Sequence, residues 1–299
     1  MMKKLLVLFI GTVFIVSCNC NRSGNDTGGF GSEDSTIQDA KPLDSDAMSN
    51  LVQNISSPVE MANLIKSIGV PFSPKYLAST KNVSNYNTAY AKAFNIGIFS
   101  ANLGYLNMYS KTSSVLQYIT AIKELADGIN VGQFFDFTTL KRLATNNENI
   151  DSLKYIAMHS FNVMDEYLKK NNRSNLSALM VSGVYVEGLY LVTQIYKGKP
   201  NKDLSDYIGE QKKIFSELLL ILKNYEKDPY FAKLVTELET IKKEFEPVKI
   251  TIEPGEPESV EVDGMLRIVQ HSRSIVEVSD ATMARIIEQT AIIRNKLIQ

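Results

Sequence analysis

Apolar residues run almost unbroken from Thr88 to Tyr109, TAYAKAFNIGIFSANLGYLNMY. The stretch predicts a long helix that is apolar around most of its circumference. Such a helix belongs at the centre of a bundle, because no face of it suits water. Lys92, Asn95, Ser100, Asn102 and Asn107 interrupt it too often for a membrane span. Leu176 to Tyr196, LSALMVSGVYVEGLYLVTQIY, is a second helix of related design. In the first, Ala93, Gly97, Ala101 and Gly104 form one strip of small side chains, which lets another helix come close. A glycine inside a helix costs roughly 0.5–1 kcal/mol relative to alanine, so Gly97 and Gly104 need a return from packing. The second helix carries Gly183 and Gly188. Each helix has a polar pair at matching spacing, Asn95 with Asn102 and Glu187 with Gln194.

Shorter amphipathic helices are predicted around these two, over about residues 46–55, 58–68, 115–126, 134–144, 150–169, 204–225, 229–245 and 281–298. Gly69, followed by Pro71 and Pro74, ends the second of them. Asn149, Asn175 and Asp280 stand at N-cap positions. The period changes after Pro247. Val248, Ile250 and Ile252 alternate with polar residues, Pro254-Gly255-Glu256-Pro257 reads as a turn, and Val260 and Val262 alternate again. Residues 248–278 are therefore expected to be mostly extended, as one or two hairpins. The fold class is mainly α, a multi-helix bundle with a small extended or hairpin segment before the last helix. The bundle spans residues 47–246, the extended segment 247–279, and a C-terminal helix, 280–299, packs on the bundle. No short-period repeat of the solenoid kind is present.

The N-terminus is of another character. Lys3 and Lys4 precede an apolar run from Leu5 to Val16, and Ser17-Cys18 follows. This is the layout of a secretory signal, and the run is too short for a spanning helix. Ile15-Val16-Ser17-Cys18 resembles the lipobox of bacterial lipoproteins. The resemblance covers the first eighteen residues only. It implies that residues 1–17 are a lipoprotein signal peptide, that Ile15 and Ser17 occupy its recognition positions, and that Cys18 becomes the lipidated first residue. Asn19, which is not an aspartate, points by that family's sorting rule to the outer membrane. Residues 18–46 are rich in Gly, Ser, Asn and Asp, with almost nothing to bury, and read as a flexible tether.

Composition narrows the chemistry. The chain has 32 basic and 33 acidic side chains, a formal charge of −1, and no basic stripe, so nucleic acid is not an expected partner. The only two cysteines, Cys18 and Cys20, precede the bundle, which therefore holds no disulfide and no His/Cys zinc site. H-E-x-x-H, G-x-S-x-G and S-x-x-K are all absent. Asp44 and Asp46 lack the rest of a calcium loop. No cofactor is implied. His159, Asn162 and Glu166 share one helical face and form a candidate acid–base cluster, but that face points away from the apolar strip and reads as solvated. Tyr105, Tyr185 and Tyr190 either line a sugar or peptide groove or fill the core between helices.

Glu187 is the residue to watch. It lies in the most apolar part of its helix, where a carboxylate has a raised pKa unless it is paired. Asn95, Asn102 or a tyrosine would pair it. Glu187, Gln194, Asn95 and Asn102 are thus a candidate ligand site or buried polar network. The functional expectation is an exported, lipid-anchored helical envelope protein with a non-enzymatic binding or scaffolding role. Its partners would be the membrane, through Cys18, and an envelope protein or glycan. The alternative is a motif-poor envelope enzyme with Glu187 in a cleft.

Overall fold

The computed structural model describes residues 51, 64–65, 67–145, 150–255, 257–262, 265–270 and 273–299. Ile15, Ser17, Cys18, Cys20 and His271 lie outside them, as do the whole tether, most of the helices expected over 46–55 and 58–68, and the Asn149 cap. The architecture is mainly helical, with a two-stranded antiparallel ribbon before the last helix.

The two apolar stretches are the two central helices, α1 (Ala89–Met108) and α5 (Ser174–Gly198). Thr88 caps α1 by accepting a hydrogen bond from Ala91 N. The helices run in the same direction. Asn175 donates to Tyr90 OH at 3.1 Å near their starts, Gly97 meets Gly183 midway, and Asn102 donates to Glu187 further on. The crossing is at backbone contact. A Cβ on Gly97 would overlap the Met180 carbonyl oxygen and stand 2.7 Å from Val184 N and 2.9 Å from Gly183 Cα. A Cβ on Gly183 would overlap the Phe94 carbonyl oxygen. Gly97 thus has the packing return expected of it. α5 is long and apolar enough to cross a membrane, yet 89% of its most apolar window is buried in protein, as befits a core helix.

The other helices surround this pair: α2 (Thr112–Asp127), α3 (Phe137–Thr145), α4 (Ile150–Lys170), α6 (Lys202–Lys223) and α7 (Pro229–Phe245). α2 packs on α1; α4 and α6 pack on α5; α7 packs on α6. Asn201 and Asp228 cap α6 and α7, and Pro229 takes the first-turn position that suits it. Gly69, at φ +67°, stops the segment before it, and its N–H bonds Ile65 O. The last helix, α8 (Asp280–Leu297), returns to pack on α5 and α7.

Two of the expected caps are displaced. Asn175 is not the α5 cap. The helix starts at Ser174, and Asn175 is buried inside its first turn, where its amide reaches Tyr90. Asp280 is the first residue of α8. Ser279 caps it, accepting from Thr282 N, so the shorter hydroxyl one residue earlier takes the role.

The ribbon corrects the expected turn. β1 (Lys249–Glu253) pairs with β4 (Arg273–Glu277), and β2 (Pro257–Val262) with β3 (Met265–Gln270). The chain does not reverse at Pro254–Pro257. β2 and β3 pair antiparallel with Val262 opposite Met265, and in the sequence Asp263-Gly264 stands between these two, a dipeptide that favours tight hairpins. Pro254 and Pro257 cannot donate to a ladder, and the register changes by one residue where they stand. The base of the ribbon rests on α6: Val276 is buried, and a Cβ on Gly209 would strike it. Ile252, further out, is 68% exposed.

Candidate functional site

Glu187 is wholly buried in α5 and fully paired. Arg294, on α8, clasps it with two bonds: Nε donates to Oε2 at 2.7 Å and Nη2 to Oε1 at 2.7 Å. Asn102, on α1, donates Nδ2 to Oε1 at 2.7 Å and to Ile98 O at 2.8 Å. Its Oδ1 accepts from Ala78 N at 3.0 Å. The Arg294 guanidinium lies over the Tyr190 ring at 4.3 Å, and its Nη1 donates to Asn295 Oδ1 at 3.0 Å. Tyr118 OH donates to Ala78 O at 2.7 Å, which holds that segment from its other side. One buried network therefore ties α1, α2, α5 and α8 to the chain around Ala78.

The electrostatics follow from that enclosure. Burial pushes the Glu187 carboxyl up, with the Arg294 pair and Asn102 pulling it back. Burial alone would lower Arg294, but the bonds and charge of Glu187 raise it above its usual value. The fork geometry suits an ionised pair, since both carboxylate oxygens accept and both donors are cationic. Burial, then the charge of Glu187, lifts Tyr118 to about 12, against the pull of Arg294. Both of its oxygens accept from Arg294 or Asn102, and the side chain is wholly buried.

Of the residues grouped from sequence, Asn102 joins Glu187, and Asn95 and Gln194 do not. Asn95 donates to Ala91 O within its own helix. Its Oδ1 and the Gln194 Nε2 are buried and without a hydrogen-bond partner among the described residues. Arg294 is the member that sequence reasoning missed. Tyr105, Tyr185 and Tyr190 are all buried between the helices, and Tyr105 and Tyr185 also border the cavity described next. His159, Asn162 and Glu166 are all exposed on α4, as expected of a solvated face. Among the described residues no three His, Cys, Asp or Glu come together to hold a metal.

A second feature lies on another side of the central pair. Gly104 and Gly188 do not pack closely: among the described residues, apart from the local helix backbone, a Cβ on either would meet no atom within 4 Å. The expectation of a close-packed strip thus holds at Gly97 and fails at Gly104. Both open glycines line a cavity of about 270 Å³. Its walls are Ala101, Met108, Val184, Leu189, Leu191, Val192 and Ile195, with Ile65 and Ala157 from neighbouring segments. Ser100, Tyr105, Tyr185, Tyr207 and Gln211 complete the lining, which among the described residues contains no charged side chain.

No family model, curated protein or solved structure matches this chain.

Proposed function

We propose that this chain is an exported, lipid-anchored protein of the bacterial envelope, whose helical body binds an envelope component without transforming it. The basic start, the apolar run and Ile15–Cys18 support the anchor. The enclosure of Glu187 supports the binding role. The carboxylate that an enzyme reading needs has both oxygens taken by Arg294 and Asn102 and is closed to solvent. The hollow on the other side of the central pair has a mainly apolar wall among the described residues, which suits binding.

Metabolic labelling with an alkynyl fatty acid tests the anchor. Label is expected on the mature chain at Cys18 and absent from Cys18→Ala. Equal incorporation in the variant overturns the assignment.

A further inference from the structure

We infer that the cavity between α1 and α5 is a binding site for an aliphatic hydrocarbon chain, the acyl chain of a fatty acid or lipid. The inference rests on the envelope reading above and adds a ligand class to it. It begins with two glycines that local structure does not explain. Gly104 and Gly188 sit inside the two most apolar helices, where glycine disfavours the helix. Neither has the positive φ that glycine serves, and neither permits a close helix approach. Gly97 and Gly183, in the same helices, do permit one. What Gly104 and Gly188 provide is volume, and both provide it to the same cavity.

The lining says what that volume accepts. Its aliphatic residues come from successive turns of α1 and α5, and most are buried. Four of the polar side chains on its wall are engaged within the protein. Ser100 Oγ donates to Ile96 O at 2.7 Å, Tyr185 OH to Gln211 O at 3.1 Å, and Gln211 Nε2 to Tyr207 O at 3.2 Å. Tyr105 OH accepts from Ser73 N at 3.0 Å. A sugar or a peptide amide entering here would leave its own polar groups unpaired. A hydrocarbon loses nothing by entering.

Size and access agree. A dry apolar cavity of about 150 Å³ is large enough for benzene, and sites for larger ligands begin near 300 Å³. At about 270 Å³ the hollow takes a short chain whole or the end of a longer one. It is not sealed. Ala157 is exposed at its edge, and Ser100, Ala101, Val184 and Tyr207 are half-buried, so a headgroup can remain in water while the chain is inside. Met108, an unbranched and adaptable side chain, lies among the wall residues and can follow the shape of the ligand.

The test uses the full chain in cells fed a fatty acid that carries a diazirine and an alkyne. After illumination, the protein is isolated and digested, and adducts are mapped by mass spectrometry. Adducts are expected within 100–108 and 184–195. Their mass reads the source of the chain: the free acid, a phospholipid containing it, or the acylated Cys18 peptide of this protein. Adducts only elsewhere on the body, or none, overturn the inference. In Gly104→Leu/Gly188→Leu, whose new side chains occupy the hollow, these adducts are expected to fall at least tenfold while the melting temperature holds or rises. Undiminished adducts in the folded double variant overturn it too. Should the double variant fail to fold, the map on the parent chain decides alone. The same digests report label at Cys18. Cys18 labelled without cavity adducts sinks the cavity reading only; cavity adducts without label at Cys18 sink the anchor reading only.

Discussion

Gly97 and Gly104 belong to the same strip of α1, two turns apart, and the structure uses them in opposite ways. At Gly97 the backbone of α5 is so near that a methyl group would overlap it. At Gly104 the same methyl group would touch no neighbouring element among the described residues. The partners in α5 divide likewise, Gly183 against the crossing and Gly188 against the cavity. A small residue in an apolar helix is therefore not one signal. It marks either contact or space, and only the path of the second helix decides which. Beyond the crossing the space beside the pair is treated differently on its different sides. Toward α8 it is filled by Asn102, Glu187 and Arg294. Toward α4 and α6 it remains open and apolar.

The filled side should be the most fragile. Arg294→Met keeps much of the side-chain volume and leaves the Glu187 charge buried without its cation. Breaking a buried pair from one end typically costs about 3–5 kcal/mol, because the remaining charge is uncompensated. Thermal and urea melts of the full chain should show the loss directly. Glu187→Gln should also melt lower, since Arg294 would then face a neutral amide. A melting temperature for Glu187→Gln above that of the parent would mean that the carboxylate is kept at a cost to stability, and would return it to candidacy as a functional group.

How far the sequence carried this comparison depends on the residue. The central helices were legible because their apolar character is nearly continuous; the reading 88–109 meets an observed Ala89–Met108. Glu187 was legible because a carboxylate stands out between Val186 and Gly188, and Asn102 because it shares the apolar helix opposite. Arg294 was not, although a signal existed. Met283, Ile287 and Thr290 mark the buried stripe of α8, and the next position on that stripe is Arg294. A cation at a buried-stripe position asks for a buried anion, and Glu187 was waiting for one. The apparent turn at Pro254–Pro257 misled because Gly and Pro interrupt a ribbon as readily as they reverse it, while the adjacent Asp263-Gly264 carried the stronger hairpin signal. The cavity was not legible at all. Voids arise from the divergence of two helices, and no spacing within one helix records that.

The crossing should respond next. Gly97→Ala adds one methyl group against the Met180 carbonyl oxygen, with Val184 N 2.7 Å away, and the obstacle is backbone rather than a side chain that could turn aside. The helices must separate to admit it. Overpacking of this kind typically costs about 1–3 kcal/mol, and Gly183→Ala should cost a similar amount for the same reason. Melts decide this as well: midpoints equal to the parent for both variants would mean that α1 and α5 do not touch where Gly97 and Gly183 stand. A double variant should cost less than the sum of the two, because separating the helices once relieves both clashes.

The cavity side gives the smallest effect and the opposite sign. Gly104→Ala and Gly188→Ala place a methyl group where, among the described residues, no neighbouring element comes within 4 Å, in helices whose conformation alanine favours. Each removes the glycine penalty, also by restricting the unfolded chain, so each should gain about 0.5–1 kcal/mol. The gain is small, but its sign is diagnostic. The same substitution is made four times in one pair of helices, twice with loss and twice with gain, so helix propensity alone cannot produce the pattern. Two positive shifts in urea midpoint at Gly104 and Gly188 would establish that the space is present in solution. A loss at either position would show that the walls close over it when the chain is free to relax, and that the two glycines serve contact after all.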